Sequence, residues 1–160
     1  MQASIGITII IIAALFAGGV LLQDSNPSTQ LRSGTVTRVI DGDTIELSGK
    51  EIVRYLDINT PETVNPGKPE ECYGKEAAAR NRQLVGGRTV YLDIPAEATD
   101  SYGRTLAYVY TDDYFVNGEL VWSGHAYAQS YRITGDLYQT LVQLQRSARE
   151  SSRGIWAVCQ

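Results

Sequence analysis

The chain has 160 residues, enough for one domain and an appendage but with little room for a second domain. Hydrophobic residues make up 43%, which supports a buried core and excludes wholesale disorder. A formal net charge of -4 excludes a generic polyanion binder, so any role with nucleic acid must rest on a local cluster of cations. Of the 14 basic residues only Lys50, Lys68 and Lys75 are lysines; the rest are arginines, the better bidentate partners of phosphate.

From the N-terminus, Ile5 to Leu22 (IGITIIIIAALFAGGVLL) carries no charge. As a helix it spans about 27 Å, close to the hydrocarbon core of a bilayer. Residues 1–22 are therefore expected to form a hydrophobic helix outside the fold. Two readings stay open: a cleaved secretory signal, with Ala17 and Gly19 as small residues for cleavage, or an uncleaved single-pass anchor. Either implies export to an extracellular or cell-surface location, in keeping with the absence of basic residues between Leu22 and Arg32. Residues 23–30 (QDSNPSTQ) read as a polar tether, and the domain as residues 31–160.

Ser33 to Ile40 alternates β-branched and polar residues and predicts a strand. Asp41-Gly42 is a tight-turn pair, followed by a second strand at Thr44 to Leu47 and a third at Lys50 to Ile58. Thr60 to Glu71 holds three prolines and a glycine and reads as a loop. Cys72 to Val85 has helical spacing, closed by Gly86-Gly87. Strands four and five are expected at Thr89 to Ile94 and Thr105 to Thr111. Helices follow at Val116 to Ser123 and Leu137 to Ser151, the latter with Leu137, Leu141, Leu144 and Ala148 on one face. This order predicts an α+β fold: a five-stranded OB-type β-barrel with about three helices, preceded by the N-terminal hydrophobic helix.

The single histidine, His125, rules out catalysis by a histidine pair and reads as structural. No Cys/His cluster has zinc spacing, and no glycine-rich loop opens a helix in P-loop fashion. Cys72 and Cys159 suit an oxidising compartment, where a bond between them would contribute roughly 4–5 kcal/mol in the chain-entropy model. Two separate buried thiols are the alternative. What remains for chemistry is a set of loop acids and arginines. Asp43 lies in the hairpin Asp41-Gly42-Asp43-Thr44. Arg54 lies inside strand three, Asn59-Thr60-Pro61-Glu62 at that strand's end, and Tyr102-Gly103-Arg104 before strand five. Each piece alone also fits a plain turn, a partly exposed strand position or a surface loop.

In combination they resemble the thermonuclease (staphylococcal-nuclease-like) family over roughly Thr35 to Trp156. The resemblance includes I-D-G-D-T (Ile40 to Thr44), T-P-E-T (Thr60 to Thr63), Y-G-K-E-A (Tyr73 to Ala77), D-S-Y-G-R-T-L-A-Y-V-Y (Asp100 to Tyr110), V-N-G-E-L-V (Val116 to Val121) and G-I-W (Gly154 to Trp156). It implies an OB barrel with three helices and a calcium-dependent nuclease acting on DNA and RNA, single-stranded or unwound, leaving 3′-phosphate ends. By the same resemblance Asp43 is the calcium carboxylate, Thr60 gives a backbone carbonyl and Asn59 completes the ligand set. Glu62 acts on the attacking water, Arg54 and Arg104 hold the scissile phosphate, and Tyr102 contacts the substrate. The chain departs from the family in two places. Asn59 stands where the family often has Asp, which implies weaker calcium affinity. The Glu62 to Tyr73 loop carries Lys68 against Glu70 and Glu71, which implies modest, salt-sensitive substrate binding. Tyr127 and Tyr131 are candidates for base stacking, with barrel packing as the alternative. A monomer is expected, with the membrane as a partner through residues 5–22 if they are retained. The alternative to an enzyme is a non-catalytic module of the same fold that binds nucleic acid or protein. On sequence grounds, Arg54→Ala is expected to harm turnover more than folding.

Overall fold

A computed structural model describes residues 31–63, 69–95, 99–130 and 135–159. The expected helix at 1–22 and the tether at 23–30 fall outside them. Among the described residues no helix is long and apolar enough to cross a membrane.

Five strands close into a barrel in the order β1-β2-β3-β6-β5: β1 Arg32–Val39, β2 Thr44–Leu47, β3 Ile52–Tyr55, β5 Thr89–Asp93 and β6 Thr105–Tyr110. All neighbours are antiparallel except β3 and β6, where Arg54 pairs with Leu106 in a parallel register. Alternation along the strands sends Val36, Ile45, Leu47, Val53, Val90, Leu92, Ala107 and Val109 into one buried core. The five-stranded barrel and the three main helices agree with the order read from the sequence.

The expected third strand, Lys50 to Ile58, is shorter than its pattern suggested. Asp57 adopts a left-handed backbone (φ 57°), and the chain turns there before resuming as β4, Ile58–Asn59. Asp tolerates this region better than most residues, and here its carboxylate accepts the Tyr108 hydroxyl at 2.6 Å while its carbonyl accepts the Gln129 N–H. β4 pairs with β7, Tyr127–Ala128, to form a small second sheet. Two residues are too few for β7 to show a period in the sequence.

Helix α1, Gly74–Val85, packs on β1 and on α2, Val116–Trp122; α3, Asp136–Glu150, lies against α2. Leu141 and Ala148 of α3 are fully buried, with Leu137 and Leu144 beside them, so the apolar face read from the sequence is the one that packs. A single turn, α4 Ile155–Val158, ends the described chain. Its start crosses the end of α2 so closely that a Cβ on Gly124 would lie 2.2 Å from the Arg153 carbonyl. Cys72 and Cys159 are bonded across 87 residues, which settles their pairing against two separate thiols. The bond ties the segment entering α1 to the end of α4.

Candidate active site

The β1–β2 turn presents two carboxylates with different tasks. Asp41 Oδ1 accepts the Asp43 N–H at 3.0 Å, a short-range bond that shapes the turn. Asp43 itself is buried. Its Oδ2 accepts the Thr60 N–H at 2.8 Å and lies 3.0 Å from Arg54 Nη2, and its Oδ1 accepts the Thr44 hydroxyl at 3.1 Å. Gly42 sits so close to Thr60 that a Cβ would meet its side chain at 2.6–2.8 Å. Only glycine lets the turn approach β4 in this way.

Arg54 enters from β3, 8% exposed. Its Nη1 donates to the Tyr55 and Ile58 carbonyls at 2.7 and 2.9 Å, bracing the turn around Asp57, and its Nη2 donates to Asn59 Oδ1 at 2.9 Å. Arg54 thus joins Asp43 to Asn59 through one nitrogen. Burial pushes the Asp43 carboxyl up to about 7; Arg54 lowers it and Asp41 adds to the rise. A carboxylate whose charged form is disfavoured by burial would be stabilised by a further cation. The side-chain oxygens gathered here, the carboxylate of Asp43 and the amide oxygen of Asn59, are hard donors of the kind calcium takes, and the main chain of Thr60 meets Asp43 through its N–H. Among the described residues no three His, Cys, Asp or Glu side chains converge on one point. A cation here would therefore complete its shell with carbonyls and water.

Glu62 follows on the same segment, half-buried. Its N–H donates to Glu71 Oε2 at 3.1 Å and its carbonyl accepts the Glu71 N–H at 3.0 Å, so the ends of the intervening loop are pinned together. Gly74, at the start of α1, packs against the Glu62 carbonyl, where a Cβ would come within 2.8 Å. Burial raises the Glu62 carboxyl above its ordinary value, and Asp41 and Glu71 add to this against Arg54 and Arg104. That is the direction a proton acceptor near neutrality needs.

Arg104 comes from the turn before β6. Asp100 organises that turn, accepting the Tyr102 and Arg104 N–H groups at 2.9 Å and Arg104 Nε at 2.7 Å. The terminal nitrogens of Arg104 make no hydrogen bond among the described residues. Its guanidinium lies 5.3 Å from the ring centre of Tyr102, which is 83% exposed. Arg54, Asp57, Tyr102, Arg104 and Leu106 all line one cleft of about 360 Å³. Asp43 and Glu62 are not among its walls; Arg54 links the cleft to Asp43.

The other candidates fall elsewhere. Tyr127 packs edge-on against Trp156 at 5.3 Å, the packing alternative, and Tyr131 lies outside the described residues. His125 rests on Tyr73, with Nδ1 2.9 Å from the Ser123 hydroxyl, and burial lowers its pKa; this fits a structural residue. Sequence reasoning passed over Asp100 and Asn81. The first was signalled by an Asp four residues before Arg104. The second was signalled by an Asn on the face of α1 that otherwise carries Ala77, Leu84 and Val85.

The family model described as "Staphylococcal nuclease homologue" matches residues 52–158, a span that holds Arg54, Asn59, Thr60, Glu62, Tyr102 and Arg104 and begins after Asp43. A thermonuclease of Staphylococcus intermedius is 41% identical over 135 residues, covering 81% of this chain and 80% of the relative. A thermonuclease of Staphylococcus hyicus is 38% identical over 125 residues, covering 76% and 74%. Endonuclease YncB of Bacillus subtilis is 40% identical over 106 residues, covering 64% of this chain and 50% of its own length. With the family model spanning most of the barrel and these relatives aligned over most of the chain, the protein belongs to the staphylococcal nuclease (thermonuclease) family.

Proposed function

We propose that this chain is a calcium-dependent endonuclease that hydrolyses phosphodiester bonds of single-stranded or unwound DNA and of RNA with little sequence specificity. The relatives' names, thermonuclease and endonuclease, support the reaction class. The observation that carries the reading is that Arg54 and Arg104, from separate parts of the chain, line one cleft, with the buried Asp43 carboxylate bonded to the first.

In this reading Asp43, Asn59 and the Thr60 carbonyl hold calcium. When bound, the ion supplies charge that polarises the phosphoryl group and orders water beside it. Glu62, its carboxyl already raised, takes the proton from the water that attacks phosphorus. The bond from phosphorus to the 5′ oxygen breaks, that oxygen gains a proton, and the phosphate stays on the 3′ end. Arg104 offers its unengaged terminal nitrogens to the charge that grows on the equatorial oxygens, and Arg54 sets the opposite wall. Tyr102 lies against the substrate beside Arg104.

We place the work of this domain, residues 31–160, outside the cytoplasm, as a monomer. Residues 1–22 serve as signal or anchor, with a membrane contact through residues 5–22 if they are retained, and 23–30 as tether. The Cys72–Cys159 bond supports an oxidising compartment.

The test is cleavage of single-stranded DNA by the full chain in detergent, with calcium and then with EGTA. Activity should need calcium, and Glu62→Gln should lower turnover by roughly 10²-fold or more while substrate binding persists. Products should carry 3′-phosphate. A folded chain that cleaves nothing at millimolar calcium would instead be a non-catalytic module of the same fold.

A further inference from the structure

Helix α1 carries an asparagine where its buried face calls for an aliphatic residue. Asn81 is 0% exposed, in mid-helix, where Asn is among the weaker formers. Its Nδ2 donates to the Asp41 carbonyl at 2.9 Å, and its Oδ1 accepts the Tyr55 hydroxyl at 2.9 Å. Tyr55 is 1% exposed, and its own N–H donates to the Asp43 carbonyl at 2.8 Å. The Asp41 carbonyl is thus held by the Asn81 side chain, which the Tyr55 hydroxyl orients, and the Asp43 carbonyl by the Tyr55 main-chain N–H. Between them Gly42 abuts Thr60 with no space for a Cβ. The turn is fixed from both sides, and the Asp43 carboxylate meets the Thr60 N–H without freedom to swing.

A Phe and a Leu would fill the same space without burying a hydroxyl and an amide, but would leave the Asp41 carbonyl without its donor, so some loss of stability is expected as well. What the apolar pair would not do is orient the Asp41 peptide. We propose that Asn81 and Tyr55 are positioning residues that hold the Asp41–Asp43 turn so that Asp43 and Thr60 present their oxygens to the cation as a preformed set. This rests on the reading of Asp43 and Thr60 as calcium ligands.

The test is a calorimetric titration of calcium alone, without nucleic acid, into the full chain in detergent, with Tm recorded in EGTA. Tyr55→Phe combined with Asn81→Leu should bind calcium roughly tenfold more weakly, equivalent to about 1.4 kcal/mol. Should the double variant not fold, Tyr55→Phe alone should show a weakening of roughly threefold or more. A wild-type chain that binds calcium, with variants that bind it equally, overturns the inference and leaves the pair a packing feature, whatever Tm does. A wild-type chain that takes up no calcium overturns the calcium reading itself, and this inference with it.

Discussion

Arg54 and Arg104 line the same cleft, yet Arg54 is 8% exposed with both terminal nitrogens bonded inside the protein, while Arg104 reaches from a turn with its Nε held by Asp100. Arg54 gathers Asp43, the Tyr55–Ile58 turn and Asn59 into one corner, so its surroundings exist only when the barrel has closed. The Arg104 turn is local: five residues, Asp100 to Arg104, shape it almost alone. The corner is built from bonds within the fold itself, the arrangement that electrostatic preorganisation requires. The turn, with Tyr102 exposed, is suited to meet a chain of varied shape. One side of the cleft depends on the whole fold and the other on a short stretch of sequence.

The largest expected effect breaks the corner. Arg54→Ala leaves Asp43 buried without its partner and frees two carbonyls, and breaking a buried pair from one side costs about 3–5 kcal/mol. Arg104→Ala removes a partly exposed, local ion pair with Asp100, worth about 1 kcal/mol. Both variants should lose turnover, by roughly 10²-fold for a preorganised donor, but only Arg54→Ala should melt many degrees lower. Here the structure revises the expectation from sequence, in which Arg54 mattered for turnover more than for folding. Equal melting temperatures for the two variants would erase the distinction between corner and turn.

That revision marks what the sequence conveys. Alternation and apolar spacing are legible in a single chain, so the barrel strands and the buried face of α3 could be read directly. Asp57 could not. Its left-handed backbone depends on the Tyr108 hydroxyl and Gln129 N–H, far away in sequence, and the apolar run through Ile58 hid the turn. Arg54 was conspicuous as a charge within a strand, but its four internal partners come from tertiary contact. The recognised motifs named the candidate residues, whereas the role of Asn81 needed the helix to be docked on the turn.

A middle-sized effect concerns how the corner is secured. Cys72 lies beside Glu71, whose backbone and side chain both bond the Glu62 segment, so the Cys72–Cys159 bond anchors that side of the site to the C-terminal turn. No cross-link reaches the Arg104 turn among the described residues. Reduction, or Cys72→Ser with Cys159→Ser, should lower stability by about 2–4 kcal/mol, below the roughly 4–5 kcal/mol of the chain-entropy model because measured values commonly fall short of it. Melting curves with and without reductant read this directly. An unchanged Tm would mean that the bond adds nothing to the fold and that the corner is held by packing alone.

The smallest effect separates the two tasks of Asn59. Its Oδ1 accepts from the same Arg54 nitrogen that lies 3.0 Å from Asp43, so the residue is already part of the corner without carrying charge. Asn59→Asp keeps the shape and the Arg54 contact while adding an anion to an oxygen site whose affinity follows the charge of its ligands. Calcium should bind more tightly, by roughly tenfold or about 1.4 kcal/mol, while KM for single-stranded DNA, which in the proposed reading depends on the Arg104 turn, should change little. An unchanged calcium titration would leave Asn59 as a partner of Arg54 and remove it from the ligand set. A shift in KM without one in calcium affinity would mean instead that the corner, too, touches the substrate directly.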